Sequence, residues 1–266
     1  MNALAITGAA RLSVAALFGS LGLTAAAAQD IDLDVPFVPT PMEVVDKMLE
    51  LAEVKEGDVV IDLGSGDGRI AIAAAKRGAR AYGVDIDPVR IKEATENARK
   101  EGVSERATFR EQNLFDTNIS QADVITMYLL PSVNRDLRPR ILDLRPGTRV
   151  VSHAFDMGEW QPDAQADVNG RNVYFWKVPA KVDGRWTIEH EGDTVNVALT
   201  QQYQLLKGTA TVDGRDHPVQ GKVDGDRVTI ALGEGEARRE FRGRVNGTTL
   251  EPLADGSTGG WTARRG

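Results

Sequence analysis

The sequence has no cysteine among its 266 residues, which excludes disulfide bonds, thiol catalysis and cysteine-ligated metal sites. Histidine is scarce, with three residues, so a histidine-based metal site would need nearly all of them, and we expect no bound metal. Positive charge is in the minority, because 32 lysine and arginine residues stand against 39 aspartate and glutamate residues, which gives a net charge of −7. This balance argues against a protein that binds nucleic acid through its overall electrostatic field.

The N-terminal segment has the pattern of an export signal. One charged residue, Arg11, precedes an apolar run at residues 12–23, and the small residues at 26–28 supply a site for an export peptidase. At 12 residues, the apolar run is shorter than the roughly 20 that a membrane-spanning helix needs. We therefore expect residues 1–28 to be a cleaved signal peptide and the protein to be exported to a periplasm. Two alternatives stay open: a buried N-terminal helix, and an uncleaved membrane anchor that continues through residues 24–28 to about 17 residues.

From Pro41 to Val178, predicted strands and helices alternate along the chain. Apolar stretches predict strands at residues 59–63, 81–85, 108–110, 124–127, 149–152 and 173–178. Helical spacing and alanine-rich composition predict helices at residues 45–52, 70–76, 88–102 and 133–144. Asp87 and Pro88 make a good helix start, with the carboxylate as the N-cap. This alternation implies a parallel sheet with helices on both faces, and the hairpin dipeptide Asn169-Gly170 adds an antiparallel strand.

After Pro179 the helical pattern stops and the tight-turn dipeptides Asp-Gly and Asn-Gly recur. They lie in Val-Asp-Gly or Val-Asn-Gly motifs at residues 182–184, 212–214, 223–225 and 245–247. The segments between the motifs alternate apolar and polar residues, which predicts a small antiparallel barrel or sandwich with a core of Trp186, Phe241 and Trp261.

The charge of the chain divides near the same point. Residues 29–178 hold 19 basic and 26 acidic residues (−7), whereas residues 179–266 hold 12 basic and 13 acidic residues (−1). We therefore expect an α/β domain over residues 29–178 and an all-β accessory domain over residues 179–266.

A glycine-rich loop at residues 62–68 follows the first predicted strand, and its glycines allow a ligand to approach bare backbone closely. The loop has the spacing G-x-G-x-G rather than the dinucleotide fingerprint G-x-G-x-x-G. It also carries Asp62 and Asp67, which would repel a phosphate, so NAD and ATP are disfavoured and a cofactor with a cationic end is favoured. Asp85 ends the next strand, 21 residues after Gly64, where a carboxylate can bind ribose hydroxyls.

The loop, the acid spacing and the strand–helix alternation together resemble the class I, seven-β-strand S-adenosylmethionine-dependent methyltransferases, over roughly residues 36–178. The resemblance implies a Rossmann-like seven-stranded sheet and S-adenosyl-L-methionine as the cofactor. It places the amino and carboxyl groups of the cofactor along the glycine loop and the adenine beside residues 112–114, although Asn113 stands where many relatives have aspartate. The cofactor-binding residues implied are Thr40, Asp62, Gly64, Ser65, Gly66, Asp67, Gly68, Asp85, Ile86, Asn113, Leu114 and Tyr128.

A narrower resemblance rests on residues 35–41, residues 62–69, and residues 128–131 followed by Asn134. These segments are similar to a group of protein-lysine methyltransferases that includes the mitochondrial enzymes modifying the ATP synthase c-subunit and the adenine nucleotide translocase. The resemblance implies N-methylation of a lysine in a protein substrate. Because that group uses an apolar segment ahead of its Pro-Thr-Pro stretch as a membrane anchor, it also favours the anchor alternative and a membrane-associated partner.

The predicted catalytic residues are Tyr128, Pro131 and Asn134, which follow the fourth strand at the sheet end where ligands bind in open α/β sheets. Methylation of an amine needs an unprotonated nitrogen in line with the sulfonium methyl group, so the enzyme mainly supplies proximity and alignment. Two of these residues have a structural alternative: Tyr128 as a half-buried aromatic and Pro131 as a helix start. Thr40 and Pro41 either close over the cofactor or cap the following helix. His153 either accepts a proton or, as we favour, is structural.

The expected function is S-adenosylmethionine-dependent protein-lysine N-methylation, with an accessory domain that positions a partner, and with no nucleic acid bound. Within the enzymes, the alternative is a small-molecule or O-methyltransferase. From another class, the alternative is an exported binding module that keeps the fold but has lost turnover, because S-adenosylmethionine is a cytosolic metabolite.

Overall fold

The computed structural model describes residues 37–235, 238–253 and 260–266. The predicted signal peptide or anchor at residues 1–28 lies outside the described residues. No helix within the described ranges has the length and apolarity that crossing a membrane requires.

The first half of the described chain is an α/β structure. Its helices are α1 (Met42–Leu51), α2 (Arg69–Lys76), α3 (Pro88–Lys100) and α4 (Pro131–Leu142), with a short 3-10 helix at Leu114–Asp116. Its strands are β1 (Val59–Leu63), β2 (Arg80–Asp85), β3 (Ala107–Glu111), β4 (Val124–Met127), β5 (Arg149–His153), β6 (Ala164–Val168) and β7 (Arg171–Lys177). They form one sheet in the order β3-β2-β1-β4-β5-β7-β6.

The predicted Rossmann-like seven-stranded sheet with helices on both faces is confirmed. Strands β1 to β5 are parallel, and β7 runs antiparallel to β5 and pairs with β6 through the predicted hairpin. Successive residues of a strand point to opposite faces. Val60 therefore packs in the core beneath α1, α2 and α3, whereas Ile61 packs in the opposite core with Leu137 of α4.

The second half of the described chain is a closed eight-stranded barrel, so the structure selects the barrel from the two architectures predicted. Its strands are β8 (Gly184–His190), β9 (Asp193–Gln202), β10 (Leu205–Val212), β11 (Arg215–Asp224), β12 (Arg227–Leu232), β13 (Arg239–Asn246), β14 (Thr249–Pro252) and β15 (Trp261–Arg265). Each strand is antiparallel to the next, and β15 closes the barrel on β8. The predicted core residues Trp186, Phe241 and Trp261 are buried.

Three of the four predicted turn motifs connect neighbouring barrel strands, but the motif at residues 182–184 does not. Gly184 begins β8, and no barrel strand precedes it with which it could form a hairpin. The backbone N–H of Val182 instead donates to the Gln201 side chain at 2.7 Å, and the Gln201 amide donates to the Ala180 carbonyl at 2.9 Å. The first motif therefore belongs to the connection between the sheet and the barrel.

The barrel is held against the α/β structure by side chains of the β9–β10 turn. The Tyr203 ring stacks on Trp160, with centroids 6.2 Å apart, and Arg138 of α4 lies 5.4 Å from the same ring. The Gln204 amide donates to the Gln161 carbonyl at 2.7 Å. These contacts fix the barrel to α4 and to the segment that follows β5.

Candidate active site

The loop between β1 and α2 turns sharply beneath a cavity. Gly64 and Gly66 have φ angles of 75° and 51°, in the left-handed region that favours glycine. A Cβ atom at Gly64 would lie 2.8 Å from Leu129, and one at Gly66 would overlap the Phe37 ring. Glycine is therefore required at both positions by backbone conformation and by close packing.

A cavity of about 890 Å³ opens above this loop, at the carboxyl ends of the parallel strands. Its walls come from the glycine loop, the ends of β2, β3 and β4, the start of α3, and the segment at residues 37–40 that leads into α1. The predicted cofactor residues that line it are Thr40, Gly64, Ser65, Gly66, Asp67, Asp85, Ile86, Asn113, Leu114 and Tyr128. The structure thus brings ten predicted positions together around one cavity.

Two predicted cofactor residues, Asp62 and Gly68, do not line the cavity. A side chain at Gly68 would meet Phe109 and Ala94, so this glycine serves the packing of α2 against β3 and α3. Asp62 is buried beneath the loop, 1% exposed, and Thr126 donates a hydrogen bond to its Oδ1 at 2.6 Å. Its Oδ2 atom is buried without a hydrogen-bond partner among the described residues.

The buried Asp62 carboxyl is electrostatically unusual. Burial is the main cause that raises its pKa. The hydrogen bonds to Thr126 and to the Ala71 backbone oppose this rise, and the nearby charges of Asp85 and Asp67 reinforce it. The resulting pKa is about 7, against an ordinary value of 3.8. A cation placed against the unpartnered oxygen would relieve this cost, so the carboxyl is suited to an ammonium group.

Asp85 is held at the cavity edge by two backbone donors. Its Oδ2 accepts from the Gly66 N–H at 2.8 Å and its Oδ1 accepts from the Asp87 N–H at 3.0 Å. Each oxygen keeps a second lone pair for a hydroxyl donor. Asp87 caps α3 as predicted, because its Oδ1 accepts from the Val89 N–H at 2.8 Å.

Residues 37–40 form a strap over the glycine loop, which favours the closing role predicted for Thr40. The Thr40 hydroxyl hydrogen bonds with His153 Nδ1 at 3.1 Å, and the Thr40 carbonyl accepts from Arg69 at 2.9 Å. Pro41, not Thr40, occupies the N-cap position of α1. The Asp67 carboxylate is paired with Arg69 at 2.5 Å, so within this structure it anchors the strap.

Of the three predicted catalytic residues, Tyr128 lines the cavity and Pro131 and Asn134 do not. Pro131 begins α4, in agreement with its structural alternative. Asn134, one turn later, is fully buried, and its amide donates to the carbonyls of Phe155 and Asp156, each at 3.1 Å. Its helical phase turns it toward the loop after β5, so Asn134 supports that loop and does not line the cavity. The catalytic contact expected of Asn134 stays a prediction.

His153 packs against Tyr128, with ring centroids 3.9 Å apart. Burial, and secondarily the charge of Arg171, lower the pKa of His153 to about 4. The imidazole is therefore neutral near pH 7 and is a weak base, in agreement with a structural role. Within the described ranges, no cluster of three or more acidic or histidine side chains could hold a metal ion.

Comparison with known proteins identifies the chemistry of this cavity. A family model described as the ANTKMT methyltransferase domain matches residues 62–164. A protein-lysine N-methyltransferase of Saccharolobus islandicus (strain REY15A) is 49% identical over 142 residues, which cover 52% of this chain and 88% of the relative. The chain belongs to this methyltransferase family.

Other relatives of this methyltransferase match the same part of the chain. A Rattus norvegicus lysine N-methyltransferase named for the ATP synthase c-subunit is 32% identical over 130 residues, which cover 48% of this chain and 60% of that protein. A crystal structure titled as an RNA methyltransferase from Salinibacter ruber, in complex with S-adenosyl-L-homocysteine, shares 54% identity with a TM-score of 0.53. That match covers 55% of this chain and 96% of the solved chain.

The cofactor of this methyltransferase is S-adenosyl-L-methionine, and the cavity fits it. The carboxylate of Asp85 would accept the ribose hydroxyls. The contact that the resemblance implies between the cofactor's ammonium group and Asp62 falls on an unpartnered Oδ2 that is buried beneath the loop, outside the cavity lining. Ile86 and Leu114 offer apolar contacts for the adenine. Asn113 already uses its side-chain oxygen to accept from the Phe115 N–H at 2.8 Å, so its amide nitrogen is left to face the adenine edge.

Sequence reasoning did not single out Phe37, Arg69 or Arg90, all of which line the cavity of the methyltransferase. The Arg90 guanidinium lies 4.5 Å from the Phe37 ring centroid and 3.7 Å from Asp87. Two local signals were available, since Arg90 is three residues after the predicted N-cap and Arg69 is two residues after a loop acid. Phe37 lies in the segment at residues 35–41 that carries the narrower resemblance, but its contact with Arg90 is made across the fold.

Proposed function

We propose that this methyltransferase transfers a methyl group to the ε-amine of a lysine side chain in a protein. The observation that carries the proposal is the 49% identity to a named protein-lysine N-methyltransferase over 88% of that relative's length. The chemistry at the acceptor end of the cavity agrees with it. A hydroxyl acceptor needs a strong base to take its proton, whereas an amine can lose its proton to water before it reacts.

The residues near the acceptor end favour a substrate that needs no enzyme base. The His153 ring that packs on Tyr128 has a pKa of about 4, and the Asp62 carboxyl is buried beneath the glycine loop, outside the cavity lining. When bound, the cofactor supplies a sulfonium methyl group, which the neutral nitrogen's lone pair attacks while the carbon–sulfur electrons pass to sulfur. Tyr128 then contributes by positioning the nitrogen, and the methylated ammonium gives up its extra proton to solvent.

The charge of the α/β part of the chain supports a basic protein partner. Residues 29–178 carry 19 basic and 26 acidic residues, a net charge of −7, so lysine-bearing surfaces are attracted over long range. The same charge opposes RNA. An RNA acceptor is nevertheless the second candidate, because the 54% identical structure from Salinibacter ruber is titled as an RNA methyltransferase.

The test is methyl transfer from labelled S-adenosylmethionine to three panels: lysine-containing peptides, RNA oligonucleotides and small-molecule amines and alcohols. We expect label on peptides only, and loss of label when the peptide lysine is replaced by arginine. Label on RNA or on small molecules would replace the proposal by one of those substrate classes. Cofactor binding by calorimetry without transfer to any panel would favour a binding module that has lost turnover.

A further inference from the structure

We propose that Phe155 and Tyr128 form an aromatic wall that binds the cationic head of the target lysine and of its methylated products. The inference rests on the proposed function and deepens it, because it assigns the lysine's binding site to two named side chains. Phe155 lies outside the cavity-lining residues but directly beside Tyr128, which lines the cavity.

The order of the strands places the acceptor at this point. Asp85 and Asn113, at the ends of β2 and β3, are on the nucleoside side of the cofactor, and Asp62 of β1 is on its amino-acid side. The next strands in the sheet are β4 and β5. The acceptor nitrogen therefore approaches over the ends of β4 and β5, which Tyr128 and Phe155 follow closely.

The Tyr128 and Phe155 rings stack next to each other, and His153 packs against the Tyr128 ring as well. The centroids of Tyr128 and Phe155 are 6.3 Å apart and their planes differ by 22°, so the ring planes are nearly parallel. Both side chains are half-buried. The faces of aromatic rings attract ammonium groups, and methylated ammonium groups in particular, when the cation lies within about 6 Å of a ring centroid. The spacing and exposure thus suit a lysine that lays its carbon chain along the rings.

Phe155 is held in position by a strained turn. Ala154 has a φ angle of 65°, in the region that favours glycine, and the Phe155 N–H donates to the His153 carbonyl at 2.8 Å across it. Two further donors converge on the Phe155 carbonyl, Ser152 Oγ at 2.7 Å and Asn134 Nδ2 at 3.1 Å. Strain of this kind persists when the surroundings over-determine the conformation, and it clusters at functional sites.

The support behind Phe155 also leaves a polar atom unpartnered. The side-chain nitrogen of Asn134 donates to the turn, while its Oδ1 is buried without a hydrogen-bond partner among the described residues. A turn that only connected two strands would need neither a buried oxygen without a hydrogen-bond partner nor an alanine with a left-handed backbone conformation. Asn134 is therefore a positioning residue for the aromatic wall.

The test compares a cation with its neutral isostere, in the full chain saturated with S-adenosylhomocysteine. The two probes are acetyl-trimethyllysine amide and the same molecule with carbon in place of the ammonium nitrogen, and their affinities are measured by ligand-detected NMR titration. We expect the wild type to prefer the cation. Phe155→Leu should lose about fivefold in affinity for the cation and little for the isostere, and Phe155→Tyr should retain the preference.

Tyr82→Leu is the matched control, because Tyr82 is an aromatic residue of β2 that is 45% exposed and lies outside the cavity. No preference for the cation in the wild type, or an unchanged preference in Phe155→Leu, would overturn the proposal. The readout does not depend on catalysis. Selective cation binding in a protein that methylates no lysine would therefore reject the proposed function and leave the aromatic wall standing.

Discussion

Replacement of Asp62 by asparagine measures how much the ionised, buried Asp62 carboxyl lowers the free energy of unfolding. Its pKa is about 7 in the folded protein against an ordinary value of 3.8, a difference of about three pH units. Each unit corresponds to about 1.4 kcal/mol, so ionised Asp62 lowers the free energy of unfolding of the cofactor-free protein by about 4 kcal/mol. Asp62→Asn removes the ionisation but keeps an oxygen that can accept from Thr126.

The sign of the pH dependence follows from which state holds the proton. Between about pH 4 and pH 7 the folded protein keeps the Asp62 proton and the unfolded chain releases it, so wild-type stability falls as pH rises through this window and then levels off. In Asp62→Asn this contribution is absent. The stability advantage of the variant over the wild type should therefore grow by about 1.4 kcal/mol per pH unit up to pH 7.

The assay is urea unfolding of the full chain without cofactor at pH 5, 6, 7 and 8. Asp136→Asn is the matched control, because Asp136 is an exposed aspartate on α4 whose replacement should change stability by only about 0.5 kcal/mol. An advantage of Asp62→Asn that is the same at pH 5 and pH 8 would refute the reasoning. The same carboxylate should bind the cofactor's ammonium group, so cofactor affinity measured by calorimetry should weaken below pH 7 in the wild type and be low at every pH in the variant.

Four further outcomes are expected. Asp85→Ala should weaken S-adenosylmethionine binding by about 1–3 kcal/mol in calorimetry, and unchanged affinity would mean that the ribose assignment is wrong. Thr40→Val should remove the hydrogen bond to His153 and raise the KM for the cofactor severalfold; an unaltered KM would show that the strap does not cover the bound cofactor. Tyr203→Ala should raise the KM for a peptide substrate without changing cofactor affinity, and an equal loss of both would point to general unfolding. N-terminal sequencing of fractionated protein should find Gln29 first, whereas Met1 in a membrane fraction would identify an uncleaved anchor.

The parts of the site that the sequence predicts are those encoded locally. The glycine loop and Asp85 lie at the ends of adjacent strands, so their positions follow from strand–helix alternation and from a spacing of 21 residues. Asn134 shows the limit of that reasoning. Its place shortly after β4 suggests proximity to the substrate, but a residue one turn into a helix points where the helix packs, and here that is the loop after β5.

The contacts missed by the sequence are made between distant segments. The Thr40–His153 hydrogen bond joins residues 113 positions apart, and the Phe155–Tyr128 arrangement depends on how β4 and β5 pair. Closure of the barrel is similar, because Trp261 pairs with His190 across most of the β-rich half. The alternation of apolar and polar residues predicts the barrel's strands, but it does not show that the last strand pairs with the first.

The barrel contacts the segment that follows β5. It contributes no described residue to the cavity lining, yet its Tyr203 and Gln204 hold Trp160 and Gln161. These residues continue the segment whose beginning is the strained turn that carries Phe155. One end of that segment is therefore fixed by Asn134 and Ser152 and the other by the barrel. The strap over the cofactor loop reaches the start of the same segment, because Thr40 hydrogen bonds with His153, whose carbonyl accepts from the Phe155 N–H. The barrel, α4 and the strap therefore all support the segment that carries Phe155.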